Sequence, residues 1–185
     1  MSNELNGKHV AFLVANEGVE RVELTSPREA LEEAGATTEI VSLEPGEVQS
    51  FDHLDKAETF PVDRTVTDAA TTDYDALVLP GGVANPDELR TDDDAVTFVR
   101  GFVDQGKPIG VICHGPWTLV EANVLRGREI TSWPSLRTDL ENAGAIWVDE
   151  EVVNDRGIVS SRNPGDLPAF NQAIVEEFAR ATAAA

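Results

Sequence analysis

The chain carries one cysteine, Cys113, in the run Val111-Ile112-Cys113-His114-Gly115-Pro116-Trp117. An apolar stretch that breaks off at a cysteine and resumes as an amphipathic stretch reads as a strand-to-helix junction. Such a junction exposes a side chain at the carboxyl edge of a sheet, where open α/β proteins bind ligands. Hydrolases hold their nucleophile on a sharp turn of this kind. With the free N–H groups of the following helix aimed at it, the thiol is expected to ionise below its free value of about 8.5. The adjacent His114 is placed to accept the thiol proton. Gly115 permits close approach of the chain, and Pro116 suits the first turn of a helix.

Two further loops fall at the carboxyl ends of strands. Pro80-Gly81-Gly82 follows Ala76 to Leu79, and its bare N–H groups suit an oxyanion. Glu17-Gly18-Val19-Glu20 follows the first strand and brings Glu20 towards the same edge. Of the other two histidines, His9 opens the first strand and His53 lies in an irregular acidic stretch, so both read as structural or solvated. No histidine follows position 114, which excludes a glutaminase triad with its histidine far downstream. One cysteine and three histidines allow no internal disulfide and no thiolate zinc cluster. No metal or other cofactor is called for.

The elements that must position these residues follow from hydrophobic spacing. His9–Ala15, Thr38–Leu43, Ala76–Leu79 and Pro108–Ile112 are short apolar strands. Glu20–Ala34, Ala95–Gln105, Pro116–Asn123 and Asp166–Ala181 have helical spacing. Alternation of the two indicates a mostly parallel α/β sheet with helices on both faces, in a single domain over residues 1–185. Ser26-Pro27-Arg28-Glu29 is a capping-box sequence that would start a helix at Pro27, with a longer helix bent at Pro27 as the rival. A short β-ribbon is expected around Thr65–Thr67.

Charge bounds the partners. There are 34 Asp plus Glu against 14 Lys plus Arg, a net −20, and the only lysines are Lys8, Lys56 and Lys107. Such a field repels phosphate backbones, so nucleic acid is not an expected partner. The apolar runs are too short for a membrane span, and the N-terminus lacks the basic n-region of a signal peptide, which points to the cytoplasm. The acid excess reads as a solvated surface, with adaptation to a salty cytoplasm as its sharper form.

Gly18-Val19-Glu20, Ala76-Leu77-Val78-Leu79-Pro80-Gly81-Gly82, Gly106-Lys107-Pro108-Ile109-Gly110-Val111-Ile112-Cys113-His114-Gly115-Pro116 and Ser160-Ser161-Arg162-Asn163-Pro164-Gly165-Asp166 together resemble the PfpI family. That family lies within the class I glutamine amidotransferase-like superfamily, with intracellular cysteine proteases, stress-protein relatives, and enzymes described as deglycases or glyoxalases. The resemblance runs from about His9 to Phe178. It implies a flavodoxin-like sandwich, Cys113 as nucleophile with His114 beside it, and Glu20 as the protonated acid on the cysteine sulfur. It also implies oxyanion donors at the Gly82 and His114 N–H groups. A third acid, Asp87 or the adjacent Glu88, would come from a neighbouring subunit of a homo-oligomer. Trp117 either lines the pocket mouth or packs on its helix.

The reading is a cofactor-free cysteine hydrolase acting on carbonyl carbon, in peptides or in dicarbonyls and their adducts. Cys113 is the nucleophile, His114 the acid and base, Glu20 the tuner and Asp87 the orienting acid. The rival is a stress protein whose Cys113 is an oxidisable sensor with little turnover. A small-molecule binding module on the same fold is a third, weaker reading.

Overall fold

A computed structural model describes residues 4–181. In chain order the elements are β1 (His9–Leu13), β2 (Glu17–Glu20), α1 (Arg21–Glu33), β3 (Thr37–Ser42), β4 (Glu47–Asp52), β5 (Asp55–Pro61) and β6 (Arg64–Thr65). Then come β7 (Ala76–Leu79), α2 (Ala84–Leu89), α3 (Asp93–Asp104), β8 (Ile109–Ile112) and α4 (Pro116–Glu121). The chain closes with β9 (Glu129–Ile130), α5 (Arg137–Asn142), β10 (Ile146–Trp147), β11 (Val152–Asp155), β12 (Ile158–Ser161) and α6 (Leu167–Arg180).

The main sheet has the order β11-β12-β8-β7-β1-β3-β6. Every neighbouring pair in it is parallel except β11 with β12. The strands are apolar on both faces because each face is covered. Val10 and Phe12 of β1 point into a core shared with Leu24, Leu31, Phe170 and Ile174 of α1 and α6. Ala11 and Leu13 point into the opposite core, with Phe98, Phe102 and Leu119 of α3 and α4. This period of two, buried on both sides, is the expected signature of a parallel sheet between helical layers. No helix among the described residues is long and apolar enough to cross a membrane.

Two local expectations are corrected. Helix α1 starts at Arg21 and runs through Pro27, so the capping-box sequence does not begin a helix. The Ser26 hydroxyl accepts instead from Asn171 Nδ2 at 2.8 Å, tying α1 to α6. The β-ribbon lies earlier than Thr65–Thr67. It is the β4–β5 hairpin, whose β4 pairs in parallel with β2, while Arg64–Thr65 joins the main sheet beside β3.

Gly110, in the middle of β8, lets α6 settle onto the sheet. A Cβ there would stand 2.8 Å from Ile174 Cγ2 and 3.2 Å from the Phe170 ring. Gly110→Val is therefore expected to destabilise the fold by about 1–3 kcal/mol through overpacking. Denaturant unfolding checks this, and an unchanged midpoint would mean that α6 is free to shift.

Candidate active site

The carboxyl ends of β1, β7, β8 and β12 converge on Cys113. Its backbone has φ 61°, a left-handed conformation that a non-glycine residue holds only under constraint. The constraint is visible in three bonds. The Cys113 N–H donates to Ser161 O at 3.1 Å, the Trp133 N–H to Cys113 O at 3.0 Å, and the Gly115 N–H to Ile112 O at 2.9 Å. Gly115 lies beneath the turn, where a Cβ would stand 2.6 Å from Leu79 O. The sulfur is thereby fixed at the floor of a cavity of about 340 Å3, with His114, Glu20, Trp133 and Val83 among its walls.

His114 Nδ1 lies 3.1 Å from Cys113 Sγ. The imidazole is stacked on Trp133, with centroids 5.8 Å apart and planes at 24°, and meets Trp117 edge-on at 5.4 Å. Burial pushes its pKa below the usual histidine value, so the ring is neutral at pH 7 and able to accept a proton.

The acid at the sulfur is Glu23, and this corrects the assignment of that place to Glu20. Both residues sit at the start of α1, but Glu20 is its first flanking residue and Glu23 lies within its first turn. Glu23 is fully buried, its Oε2 accepts the Gly81 N–H at 2.8 Å, and its carboxyl interacts directly with the Cys113 thiol. Glu20 stands off the sulfur in the cavity wall, and its Oε2 accepts the His53 N–H at 3.1 Å. Gly81 is obligatory here: a Cβ would meet Glu23 Oε2 at 2.5 Å and Cys113 Cβ at 2.7 Å.

Burial raises the Glu23 pKa to about 8, against opposing hydrogen bonds from Gly81 and the thiol, so the carboxyl is protonated at neutral pH. Burial, then the charge of Glu23 when ionised, also pushes the Cys113 thiol up. The expectation of a thiol below its free value is thus reversed in direction. Helix α4 has six residues and offers little dipole, and the thiolate is favoured instead by the N–H groups of His114 and Gly82. These are the two amides expected to face an oxyanion.

The remaining expected residues fall in different places. Gly82 lines the cavity in a left-handed turn (φ 77°), packed so tightly that a Cβ would run into Gly18 O. Trp117 packs behind His114 and donates from Nε1 to Asp139 Oδ2 at 2.9 Å, away from the cavity wall. Asp87 and Glu88 are exposed on α2. Asp87 lines an adjoining cavity that shares His53, Leu54 and Val83 with the first, and within the chain it does not meet His114.

Three contributors were not foreseen. Asn85, fully buried, accepts the Ala15 N–H at 2.7 Å and donates to Pro80 O and Gly81 O at 3.1 and 3.0 Å, locking the glycine loop to β1. Trp133 supplies the aromatic wall. Pro164 reaches the rim on a loop held by Arg162, which clasps both oxygens of Asp166 at 2.9 Å. Glu23, missed as well, had a sequence signal as a second acid one helical turn after Glu20, and Pro164 lay within the Ser160–Asp166 motif. Among the described residues no group of three or more His, Cys, Asp or Glu could hold a metal ion.

Comparison with known proteins shows the family. The family model "DJ-1/PfpI family" matches residues 8–177. The chain belongs to the DJ-1/PfpI family. It is 43% identical over 165 residues to a Bacillus subtilis protein named "Putative cysteine protease YraA", covering 89% of this chain and 95% of that one. It is 40% identical over 166 residues to "Protein/nucleic acid deglycase 2" of Escherichia coli, covering 89% and 94%. Among solved structures, a two-domain protein from Anabaena variabilis superposes with TM-score 0.86 at 34% identity. The match covers 91% of this chain and 47% of that protein, which also has a ferritin-like domain. Drosophila melanogaster DJ-1beta superposes with TM-score 0.83 at 27% identity, covering 97% and 91%. The flavodoxin-like fold expected from the sequence is the fold of these DJ-1/PfpI neighbours.

The Glu23 pKa has a consequence for stability. The folded chain keeps a proton to about pH 8 that the unfolded chain releases near 4.5. The stability this lends is complete below 4.5 and is lost as pH rises through 8. Its size is on the order of a few kcal/mol. Denaturant unfolding between pH 5 and 9 is expected to show this loss, and Glu23→Gln to flatten it. Equal slopes in the two proteins would place the carboxyl in water.

Proposed function

We propose that this chain is a cysteine hydrolase acting on carbonyl carbon, as a deglycase or glyoxalase-like enzyme or an intracellular peptidase, in protection against stress. The observation that carries the reading is the 3.1 Å approach of Cys113 Sγ to His114 Nδ1, with the Gly82 and His114 amides at the same sulfur. A thiol and an imidazole that are both neutral at rest suit proton transfer during attack. His114 Nδ1 takes the thiol proton as the sulfur bonds to the carbonyl carbon, and the carbonyl π pair moves to oxygen. The two amides receive that oxyanion, and His114 returns the proton to the departing amine or alkoxide. Protonated Glu23 donates to the sulfur while it is anionic. Water then displaces the thiol from the acyl adduct. In the hemithioacetal of a dicarbonyl, His114 first moves the carbinol C–H proton to the neighbouring carbonyl carbon, giving a hydroxyacyl thioester. Water cleaves that thioester to the hydroxy acid and the free thiol. The names of the relatives, a cysteine protease and a deglycase, are in keeping with both substrate classes.

Cys113→Ser is expected to reduce turnover at least a thousandfold in a panel of dicarbonyls and fluorogenic peptides. His114→Gln is expected to cost between a hundredfold and ten thousandfold in kcat. Full activity in Cys113→Ser would remove the nucleophile and leave a binding module.

We propose further that the active unit is a homo-oligomer in which Asp87 of a second copy orients His114. Among the described residues His114 has no carboxylate partner within its own chain, and Asp87 is exposed beside the cavity mouth. Leu54 and Val83, 93% and 56% exposed, give the same mouth an apolar rim suited to cover. Mixing inactive Cys113→Ser with inactive Asp87→Ala chains is expected to restore part of the activity. A fully active monomer by sedimentation would defeat the shared site.

A second reading is favoured by Glu23 Oε1, a buried oxygen near the thiol for which the described residues offer no well-formed hydrogen-bond partner. In it, two equivalents of peroxide oxidise Cys113 to a sulfinate, each leaving as water, and the Glu23 proton holds the product. A sensor loses its thiol stoichiometrically with peroxide and has no turnover in reducing buffer.

A further inference from the structure

We propose that Glu20 is a specificity-determining residue, which selects carbonyl compounds bearing an ammonium or guanidinium group for attack by Cys113. The inference rests on the enzyme reading above and names its substrate class. Glu20 and Cys113 line one cavity, whose other walls include Leu54, Val83, Trp133 and Pro164. Glu23 is kept neutral by burial, which leaves Glu20 as the other carboxyl that this chain's described residues contribute to the cavity lining.

Among the described residues Glu20 forms no salt bridge. The Glu20 side chain does not cap α1, and its only hydrogen bond among the described residues accepts the His53 N–H. His53, which also lines the cavity, meets Glu20 through its backbone N–H, and the neighbouring Arg21 and Lys56 are engaged by other acids. Arg21 binds Asp52 at 2.9 and 3.1 Å and lies 3.8 Å from Glu58, while Lys56 pairs with Glu17 at 3.1 Å. Arg21 feels Glu20 only as the weakest influence on its own pKa. An unpaired carboxylate on an apolar wall attracts a cation more strongly than one in open water, because the field is less screened there. The Trp133 indole in the same wall adds a face on which a cation can rest. A cavity of about 340 Å3 has room for such a group together with the carbonyl that Cys113 attacks.

The overall charge of −20 also attracts cations, so the test must separate a local carboxylate from the general field. Cys113 is the single thiol, so every modification reads this site. Three methanethiosulfonates serve as probes, bearing a trimethylammonium, a sulfonate or only a methyl group. In each case the thiolate takes the sulfenyl sulfur and methanesulfinate leaves. The cation-to-anion rate ratio, normalised to a free thiol, cancels any change in thiol ionisation. At 0.1 M salt it is expected to exceed ten in the wild type. It should fall at least fivefold in Glu20→Gln, which can still accept the His53 N–H. Glu20→Asp should retain most of it, and Asp94→Asn, an exposed acid on α3, should change it less than twofold.

At 1 M salt, with a Debye length of about 3 Å, the gap between wild type and Glu20→Gln is expected to persist in part. A ratio in Glu20→Gln within twofold of wild type, or an equal fall in Asp94→Asn, overturns the proposal. Should Glu20→Gln fail to fold, the wild type decides. Methylguanidinium, and not N-methylurea, should protect Cys113 from the uncharged probe, and equal protection by the two overturns the proposal. The probe ratios are read without turnover, so failure of the enzyme reading, seen in Cys113→Ser, is a separate result.

Discussion

A buried carboxyl wedged between a glycine loop and a thiol sets the geometry of this protein. Glu23 can stand there only because Gly81 has no side chain, and its 2.8 Å bond from the Gly81 N–H fixes the loop after β7 against α1. Removing a carboxyl from water is costly unless it is protonated and hydrogen-bonded; burial keeps Glu23 protonated and its Oε2 accepts the Gly81 N–H. The loop then has one position left for Gly82, pressed against Gly18 and aiming its N–H at the sulfur. Asn85 closes the arrangement from the other side by bonding Ala15, Pro80 and Gly81 at once. A left-handed Cys113 is tolerable in such a frame because its neighbours are fixed by several independent bonds.

The sheet carries this frame by putting all the chemistry at one edge. The carboxyl ends of β1, β7 and β8 deliver Glu23, the glycine loop and Cys113, while the amino ends are tied by a different set of polar contacts. There the His9 N–H donates to Asp75 Oδ2 at 2.9 Å and Lys8 Nζ to Asp75 Oδ1 at 3.0 Å. The Tyr74 hydroxyl donates to Glu39 Oε2 at 2.6 Å, and its ring lies 4.7 Å from that of His9. Lys107 Nζ donates to the carbonyls of Thr71 and Tyr74, both at 2.7 Å. These bonds align the strand starts, so the strand ends arrive at the site in register. The three lysines thus have partners, two of them locking the amino edge, while the large acid excess is left to the surface.

Acid groups in this chain take their roles from their surroundings. Glu23 is buried and neutral, Asp166 is held below its ordinary pKa by Arg162 against the opposing effect of burial, and Asp92 caps α3 through the Ala95 N–H at 2.8 Å. Glu20 and Asp87 stand beside the cavity system, in no ion pair among the described residues. The same residue type is therefore a proton donor, a loop clasp, a helix cap and a fixed charge at a cavity.

The sequence by itself determined the sheet and the place of the thiol at its edge. Apolar runs of strand length alternating with helical spacing allow little other than a covered parallel sheet. An apolar run ending in Cys113-His114-Gly115-Pro116 leaves the thiol at its edge. The glycine pair at 81 and 82 was legible for the same reason, since a bare loop at a strand end has few other uses. The choice between Glu20 and Glu23 was decided only by the tertiary structure. The two are one helical turn apart, so spacing puts both near the site, and only the packing of α1 against the glycine loop turns Glu23 onto the sulfur and leaves Glu20 in the cavity wall. The fate of Ser26 was settled the same way, because its capping pattern was outweighed by Asn171, 145 residues away. The thiol's direction of shift also depended on three dimensions. A strand-to-helix junction suggests a helpful dipole, but the depth of the cavity and the shortness of α4 make burial the larger effect. Local pattern reports what a residue is next to along the chain, and proton affinity depends on what surrounds it in space.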